Sequence, residues 1–394
     1  MTPNGNAELL AQLRRVSDFL PRLLTKRPGL ADWILRSRTL EREKPLEVYV
    51  RQGLGAVRHL AADDTEGLYR RLRRFKYREL LRIAVRDAIV KAPMDELGRE
   101  ATHLADATVR AALHGVSRPL HERYGEPTEG GGFCVLGLGK MGGGDLNFSS
   151  DIDLIYFYRQ DGETKTGTET VKLYTRVAQE LTKALSTTTA DGFGYRVDLN
   201  LRPQGRAGSL VMSLGQMLTY YEQFGRTWER SALIKARPVA GDLELGNELL
   251  DSLSPFVWRR STDLSAVDDL RDMRSQIDLR GKASGDDVKL GRGGIREVEF
   301  FVSALQLLHG GKQDHLRERT TMKALRKLEK AGLVATTDAD QLEEAYSFLR
   351  RTENHLQMVD ERQTQTLPMG DEERTRLAVG LGLESWAELS SRLS

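Results

Sequence analysis

Apolar residues recur every three to four positions, among many charged ones, through the first third of the chain. This spacing predicts helices over residues 7–24, 65–90 and 94–124. A following stretch, residues 125–132, contains one proline and four glycines and predicts a turn or linker. The first 124 residues are therefore expected to form a helical region.

The pattern changes after this linker. Short apolar runs bounded by turn residues replace the helical spacing and predict strands. In one of them, residues 195–201, apolar or aromatic residues alternate with polar ones, so that one face of the strand is expected to be polar. The predicted elements are strands at 133–138, 152–158, 195–201 and 209–213, and a helix at 170–186.

Helical spacing returns at Leu214 and includes a long predicted helix at 338–363. We therefore expect an α+β fold that is mostly helical, with a small mixed β-sheet between helical regions. The predicted domains are an amino-terminal helical region at 1–124, the sheet-containing domain at 125–258, and a helical bundle at 259–394.

Composition narrows the classes of function. Lysine plus arginine (59) nearly balances aspartate plus glutamate (57), and a net charge of +2 argues against bulk binding to nucleic acid. A single cysteine, Cys134, rules out an intrachain disulfide framework and fits a reducing compartment. No run approaches the roughly 20 apolar residues of a membrane span, so a cytoplasmic protein without membrane contact is expected.

The most informative segment is residues 137–158, GLGKMGGGDLNFSSDIDLIYFY, in which a glycine-rich turn leads into a strand. Asp151 and Asp153 stand two residues apart at the start of that strand and therefore point to the same face. Two carboxylates held so close repel each other unless a cation lies between them. Mg²⁺ prefers such hard oxygen ligands, and the pair predicts a magnesium site.

The alternating segment 195–201 supplies a third acid. Its period of two places Asp198 on one face together with Arg196, Asn200 and Arg202. A third carboxylate and flanking arginines beside the first two acids predict a site for metal and phosphate.

The glycine turn has other interpretations. Residues 137–142 satisfy GxGxxG, the dinucleotide-binding fingerprint, but that motif needs a full helix before the next strand. Only eight residues separate Gly142 from Asp151, which is too few. Met141 stands where a phosphate-binding Walker loop needs Ser or Thr. The glycine pair followed by Asp-Ile-Asp instead resembles the nucleotidyltransferase superfamily of polymerase-β type, in which backbone amides approach a triphosphate and carboxylates hold two metals.

A closer resemblance appears when more of the chain is included. Five blocks in order resemble the bifunctional glutamine synthetase adenylyltransferase/adenylyl-removing enzymes: the glycine-rich segment, FGYRVDLNLRPQG at 193–205, TWERSALIKAR at 227–237, KLGRGGIREVEF at 289–300 and QTQTLP at 363–368. The sequences of the last two blocks are similar to the amino-terminal, adenylyl-removing half of these enzymes. The family's full enzyme is more than twice as long as this chain.

The resemblance implies phosphorolysis: phosphate attacks the AMP esterified to a tyrosine of glutamine synthetase and releases ADP. It implies that Asp151 and Asp153 bridge two Mg²⁺ ions and that Asp198 completes the ion facing the nucleophile. The implied nucleotide and phosphate ligands are Gly142, Gly143, Ser149, Ser150, Arg196 and Arg202. A purely structural role stays open for the serines, which are equally suited to capping the turn, and for the arginines, which are suited to neutralising the acids.

Two other functions remain open at this stage. The same acids would serve ATP-dependent adenylylation of glutamine synthetase, because both reactions displace a group at the AMP phosphorus. A non-catalytic module that binds glutamine synthetase or the PII signal protein is the alternative from another class; the resemblance implies PII as a partner. A template-directed polymerase is disfavoured because the chain lacks the basic surface expected for nucleic acid.

Overall fold

The computed structural model describes residues 5–36, 40–259, 275 and 286–393. It confirms an α+β fold that is mostly helical, with one small mixed sheet. None of the helices in these ranges combines the length and apolar character needed to cross a bilayer. Part of the predicted carboxy-terminal helical region, 260–274 and 276–285, lies outside the described residues, and the domain boundaries at 124 and 258 remain predictions.

The amino-terminal region is helical as predicted, but its first helix is divided. Ser17 lies in the break; its hydroxyl donates a hydrogen bond to the carbonyl of Met358, 2.7 Å away, and accepts one from the Leu20 amide. A contact with a distant part of the chain therefore interrupts a helical pattern. The helices are α1 (Asn6–Arg14), α2 (Phe19–Lys26), α3 (Gly29–Arg36), α4 (Leu46–Val57), α5 (Thr65–Val85, continued by a π-helical turn, Arg86–Val90) and α6 (Met94–Tyr124).

A buried group of charges joins α5 and α6 to the segment just before α4. Glu100 on α6 accepts hydrogen bonds from Arg82 and Arg86 of α5, and Lys44 pairs with Glu79. All five side chains are at most 6% exposed. Removing one partner from such a group is costly because it leaves a buried charge uncompensated, so the group fixes how these helices pack.

The sheet has the order β3-β2-β1-β5, with β4 also paired to β2. β2 is antiparallel to β1 and parallel to both β3 and β4, which follow each other along one edge. The bounds of β1, β2 and the helix α8 agree with the predictions. The elements are β1 (Phe133–Leu138), α7 (Gly139–Gly143), β2 (Ile152–Tyr158), α8 (Thr170–Ser186), β3 (Val197–Asp198), β4 (Val211–Ser213), α9 (Leu214–Phe224), α10 (Thr227–Leu233), β5 (Arg237–Gly241) and α11 (Leu243–Val257).

Helices follow the sheet and pack against its glycine turn. The predicted helix at 338–363 is present but ends at Met358. After it, the carbonyl of Val359 accepts hydrogen bonds from the amides of Asp18 and Phe19, and Glu361 has a positive φ of 54°. The described helices are α12 (Ile295–His309), α13 (Thr321–Lys330), α14 (Thr336–Met358), α15 (Asp371–Gly380) and α16 (Trp386–Leu393).

Candidate functional site

Two of the three predicted acids lie side by side. β2 and β3 are parallel, and their register pairs Ile152 with Val197 and Asp153 with Asp198. Neighbouring strands lie about 4.8 Å apart, so paired residues project their side chains from the same face. The third acid, Asp151, immediately precedes β2. The sheet therefore gathers the three predicted carboxylates at the end of β2 where the glycine turn enters.

Asp153 carries a charge without a direct partner. Within the described residues, its carboxylate has neither a hydrogen-bond donor nor an ion-pair partner. Burial raises the pKa of Asp153 to about 6; Asp198 and Asp151 add to the rise, whereas Lys289 and Lys140 oppose it. Repulsion among like charges and loss of solvent therefore make this carboxylate unfavourable when ionised.

This pKa leads to a prediction about stability. A carboxyl group whose pKa is raised from 3.8 to about 6 on folding binds its proton more tightly in the folded state. The protonated group therefore adds to the free energy of unfolding below about pH 4, and this contribution is lost as the pH rises through about 6. In chelator-containing buffer, Asp153→Asn is expected to stabilise the fold by about 1–3 kcal/mol at pH 7.5, and the gain should vanish near pH 4.

Urea denaturation of both proteins across this pH range measures the effect. Asp63→Asn is a suitable control because Asp63 is exposed and forms no ion pair in the described part of the chain. Equal stability of wild type and Asp153→Asn at pH 7.5 would contradict an uncompensated charge at Asp153.

Asp151 is held from both sides. Its Oδ1 accepts a hydrogen bond from Nε of Arg196 and its Oδ2 accepts one from Nε2 of Gln363, each 2.6 Å long. Arg196 also donates to the carbonyl and hydroxyl of Ser149. Arg196 thus lies beside the acids, as predicted, and in this arrangement it neutralises Asp151.

The three carboxylates are the candidate ligands for Mg²⁺. Three carboxylates, one of them with a raised pKa and no direct partner, offer the hard oxygen ligands that this ion prefers. Across the described ranges, however, no three His, Cys, Asp or Glu side chains converge closely enough to surround a metal ion. The chemistry of the residues fits Mg²⁺, and binding by all three carboxylates requires them to lie closer together than they do here.

The glycine turn is closely packed. A Cβ at Gly142 would lie 2.1 Å from the carbonyl oxygen of Lys235, so a side chain there would displace backbone. Arg237 donates to the carbonyls of Met141 and Gly142, and the carbonyl of Gly143 accepts from Thr320. Gly139 has a positive φ of 53°, and a Cβ there would be 2.3 Å from Asp153 Oδ2. Glycine is therefore required for the backbone to pass this close to the acids.

The predicted serines take part in the turn itself. Ser149 donates its amide to Gln357 and its hydroxyl to the carbonyl of Glu361, 2.8 and 3.1 Å away. The hydroxyl of Ser150 accepts from the Asn147 amide. These bonds agree with the structural role that the sequence left open. A role in binding phosphate stays a prediction.

The predicted strand at 195–201 is much shorter than expected. Asp198 Oδ1 accepts a hydrogen bond from the Asn200 amide, 2.7 Å away, and this Asx turn ends β3 after two residues. The alternation that placed Arg202 beside the acids is therefore broken. The guanidinium of Arg202 instead donates to the carbonyls of Leu199, Gly208 and Ser209, where it holds the loop together.

Sequence reasoning missed the residues of α14 that support the glycine turn. Glu353 is 1% exposed; it pairs with Lys140, 2.5 Å away, and accepts a hydrogen bond from Asn147. Burial alone would raise the pKa of Glu353, but Lys140 and Arg350 lower it. Burial lowers the pKa of Lys140 in spite of Glu353. The helical spacing of α14 predicts a helix but does not show which distant segment its polar residues contact.

A lysine near the acids was also missed. Lys289 acts on the pKa of Asp153, Glu299 and Glu353, which places its charge beside the candidate site. It lies in the block KLGRGGIREVEF, which sequence analysis quoted for its family resemblance only. Lys289 is therefore better placed than Arg202 to meet an anion bound at the acids.

Comparison with known proteins identifies the family. The model of the family described as glutamate-ammonia ligase adenylyltransferase matches residues 7–252, which include the sheet and all three acids. The chain belongs to the glutamate-ammonia ligase adenylyltransferase family. A second model, described as a PII-uridylyltransferase, matches residues 270–394. The candidate site therefore lies within the part of the chain that the adenylyltransferase model covers.

Relatives of this glutamate-ammonia ligase adenylyltransferase family member align along nearly all of its length. Three proteins named bifunctional glutamine synthetase adenylyltransferase/adenylyl-removing enzyme are similar to it. The one from Thioalkalivibrio sulfidiphilus is 44% identical over 98% of the chain, that from Hahella chejuensis 41% over 94%, and that from Xanthomonas campestris 40% over 100%. The matches cover 40%, 39% and 41% of those proteins, so the chain spans about two fifths of their length.

Proposed function

We propose that this chain removes AMP from adenylylated glutamine synthetase by phosphorolysis. The observation that carries the proposal is the pairing of Asp153 with Asp198 on adjacent strands, beside a turn in which Gly139 and Gly142 have no space for a Cβ. The resemblance of the blocks at 289–300 and 363–368 to adenylyl-removing halves supports removal over addition. Glutamine synthetase as the protein substrate is suggested by the names of the relatives.

In the proposed reaction an oxygen of inorganic phosphate bonds to the phosphorus of the AMP group. The bond from that phosphorus to the tyrosine oxygen breaks, the tyrosine oxygen takes up a proton, and ADP is released. Phosphate is already an anion, so the attack needs no proton-abstracting base. The chain's contribution is then to place the reactants and to neutralise the charge that develops at phosphorus.

The carboxylates of Asp151, Asp153 and Asp198 would hold two Mg²⁺ ions, and such ions supply charge stabilisation to attacking and leaving oxygens. Arg196 and Lys289 lie beside these acids and would bind phosphate oxygens. Glycine at position 139 lets the backbone of the turn pass close to Asp153. Arg202 is the weaker candidate ligand because its guanidinium is used by the loop.

A second activity, ATP-dependent adenylylation of glutamine synthetase, is favoured by the description of the matching family model. The PII signal protein is a proposed partner, supported by the resemblance of residues 270–394 to a PII-uridylyltransferase model. Neither proposal requires a different set of acids. A non-catalytic binding module would have no use for like charges packed together.

One experiment separates these possibilities. The chain is incubated with adenylylated glutamine synthetase, Mg²⁺ and phosphate, and ADP and the adenylylation state are followed by chromatography and mass spectrometry. We expect one ADP for each AMP removed, and none without phosphate. A parallel reaction with unmodified glutamine synthetase and ATP tests adenylylation through release of pyrophosphate. Absence of both activities would leave the binding module as the better description.

A further inference from the structure

A short segment that begins with the last two residues of α14 connects the amino-terminal helices to the acids. We call residues 357–363 the strap. The Ser17 hydroxyl donates to the carbonyl of Met358, 2.7 Å away, and the amides of Asp18 and Phe19 donate to the carbonyl of Val359, both at 3.0 Å. The strap is thus fixed to the junction between α1 and α2.

Helix α5 holds the middle of the strap. Nζ of Lys76 lies 2.7 Å from one carboxylate oxygen of Glu361, and the Tyr77 hydroxyl donates to the other at 3.0 Å. The Lys76 and Glu361 side chains are 3% and 8% exposed. Glu361 has a positive φ of 54°, which residues other than glycine adopt only when their surroundings impose it. These contacts keep the strap in one backbone path.

The other side of the strap touches the candidate site. Gln357 and the carbonyl of Glu361 both accept hydrogen bonds from Ser149, two residues before Asp151. Gln363, at the end of the strap, donates to Asp151 Oδ2 at 2.6 Å, while Arg196 occupies Oδ1. Both oxygens of Asp151 are therefore engaged in an arrangement in which the three acids do not converge.

We propose that Gln363 is a positioning residue that restrains Asp151, and that the strap makes this restraint depend on how α2 and α5 are docked. The inference rests on the proposed function, in which Asp151 binds metal. A cation that binds Oδ2 of Asp151 competes with the Gln363 amide for that oxygen, so the hydrogen bond opposes metal binding. A partner that loosens the amino-terminal helices from the strap would release Asp151 and activate the site.

The first test is calorimetric titration of the whole chain with Mg²⁺, without substrates. Gln363→Ala is expected to lower the Kd for Mg²⁺ by about 3- to 10-fold, the effect of removing one competing hydrogen bond between solvent-exposed side chains. Gln365→Ala is the matched control: it is the same residue type two positions away, and only its backbone is hydrogen-bonded in the described structure. Its Kd should equal that of the wild type.

The second test reaches the strap from α5. Tyr77→Phe removes a hydroxyl that donates to Glu361 and accepts from the Phe193 amide, and it is expected to lower the Kd in the same direction as Gln363→Ala. If Tyr77→Phe acts through Gln363, the double variant should have the same Kd for Mg²⁺ as Gln363→Ala alone. Tyr69→Phe is the control on the same helix, because the Tyr69 hydroxyl has no hydrogen-bond partner among the described residues.

The outcomes are distinguishable. An unchanged or higher Kd in Gln363→Ala overturns the restraint while leaving the proposed function in place. An effect of Tyr77→Phe that persists in the double variant overturns transmission through the strap. If neither the wild type nor Gln363→Ala binds Mg²⁺ at millimolar concentration, the inference fails together with the metal site of the proposed function.

Discussion

Asp153→Asn is expected to reduce phosphate-dependent release of ADP by about 10³-fold or more, because a neutral amide cannot replace a carboxylate in holding the Mg²⁺ ions that would neutralise charge at phosphorus. Among the described residues, the Asp153 carboxylate has neither a hydrogen-bond donor nor an ion-pair partner, and Asp153 is paired in register with Asp198. The initial rate of ADP release from adenylylated glutamine synthetase, with saturating Mg²⁺ and phosphate, measures the effect.

Asp161→Asn is the matched control for this experiment. Asp161 follows the opposite end of β2, and its two carboxylate oxygens accept hydrogen bonds from the hydroxyls of Tyr158 and Ser213. An asparagine there can accept from one hydroxyl through its amide oxygen and donate its NH₂ group to the other. The rate of ADP release by Asp161→Asn should stay within about threefold of the wild-type rate, because Asp161 lies away from the reacting groups. Urea denaturation of Asp153→Asn at pH 7.5 distinguishes a loss of activity at the site from unfolding. A rate within tenfold of the wild type for Asp153→Asn would rule out the proposed metal mechanism.

Glu353→Ala is expected to lower the free energy of unfolding by about 3–5 kcal/mol, because it removes one partner of a buried ion pair. Lys140 would be left without a carboxylate within the glycine turn, and Asn147 would lose its acceptor. Urea denaturation followed by far-ultraviolet circular dichroism measures the loss.

Glu344→Ala provides the comparison on the same helix. Glu344 is exposed and forms no ion pair in the described structure, so its replacement should change the free energy of unfolding by less than about 0.5 kcal/mol. Similar changes for the two variants would mean that the ion pair of Glu353 contributes no more to stability than an exposed side chain does. The turn would then not depend on α14.

Local patterns in the sequence predicted the elements that form the centre of the site. The apolar runs of β1 and β2 and the helical spacing of α6 and α8 each depend on neighbouring residues, and their bounds were predicted correctly. The spacing of Asp151 and Asp153 placed them at the start of β2, as observed. Confirmation of the α+β fold follows from the same local signals.

Contacts between distant segments could not be predicted in this way. The hydrogen bond between Asp198 and the Asn200 amide ends β3, although the alternation of residues continues past it. The bonds from Gln363 to Asp151 and from Lys140 to Glu353 span more than 200 residues. Polar residues at helical spacing carry no information about such partners, so the sequence alone placed Arg202 at the acids and assigned no role to Gln363 or Glu353.

The dependence of the glycine turn on α14 has a consequence for how the molecule can be divided. Residues 147–149 are hydrogen-bonded to three polar residues along one side of that helix, Glu353, Asn354 and Gln357. A truncated protein ending at Val257 would keep the strands of the described sheet and all three acids, yet it would lack the helix that is hydrogen-bonded to this loop. We therefore expect the smallest folded unit that keeps this site to extend at least through α14, far beyond the boundary that the sheet alone would suggest.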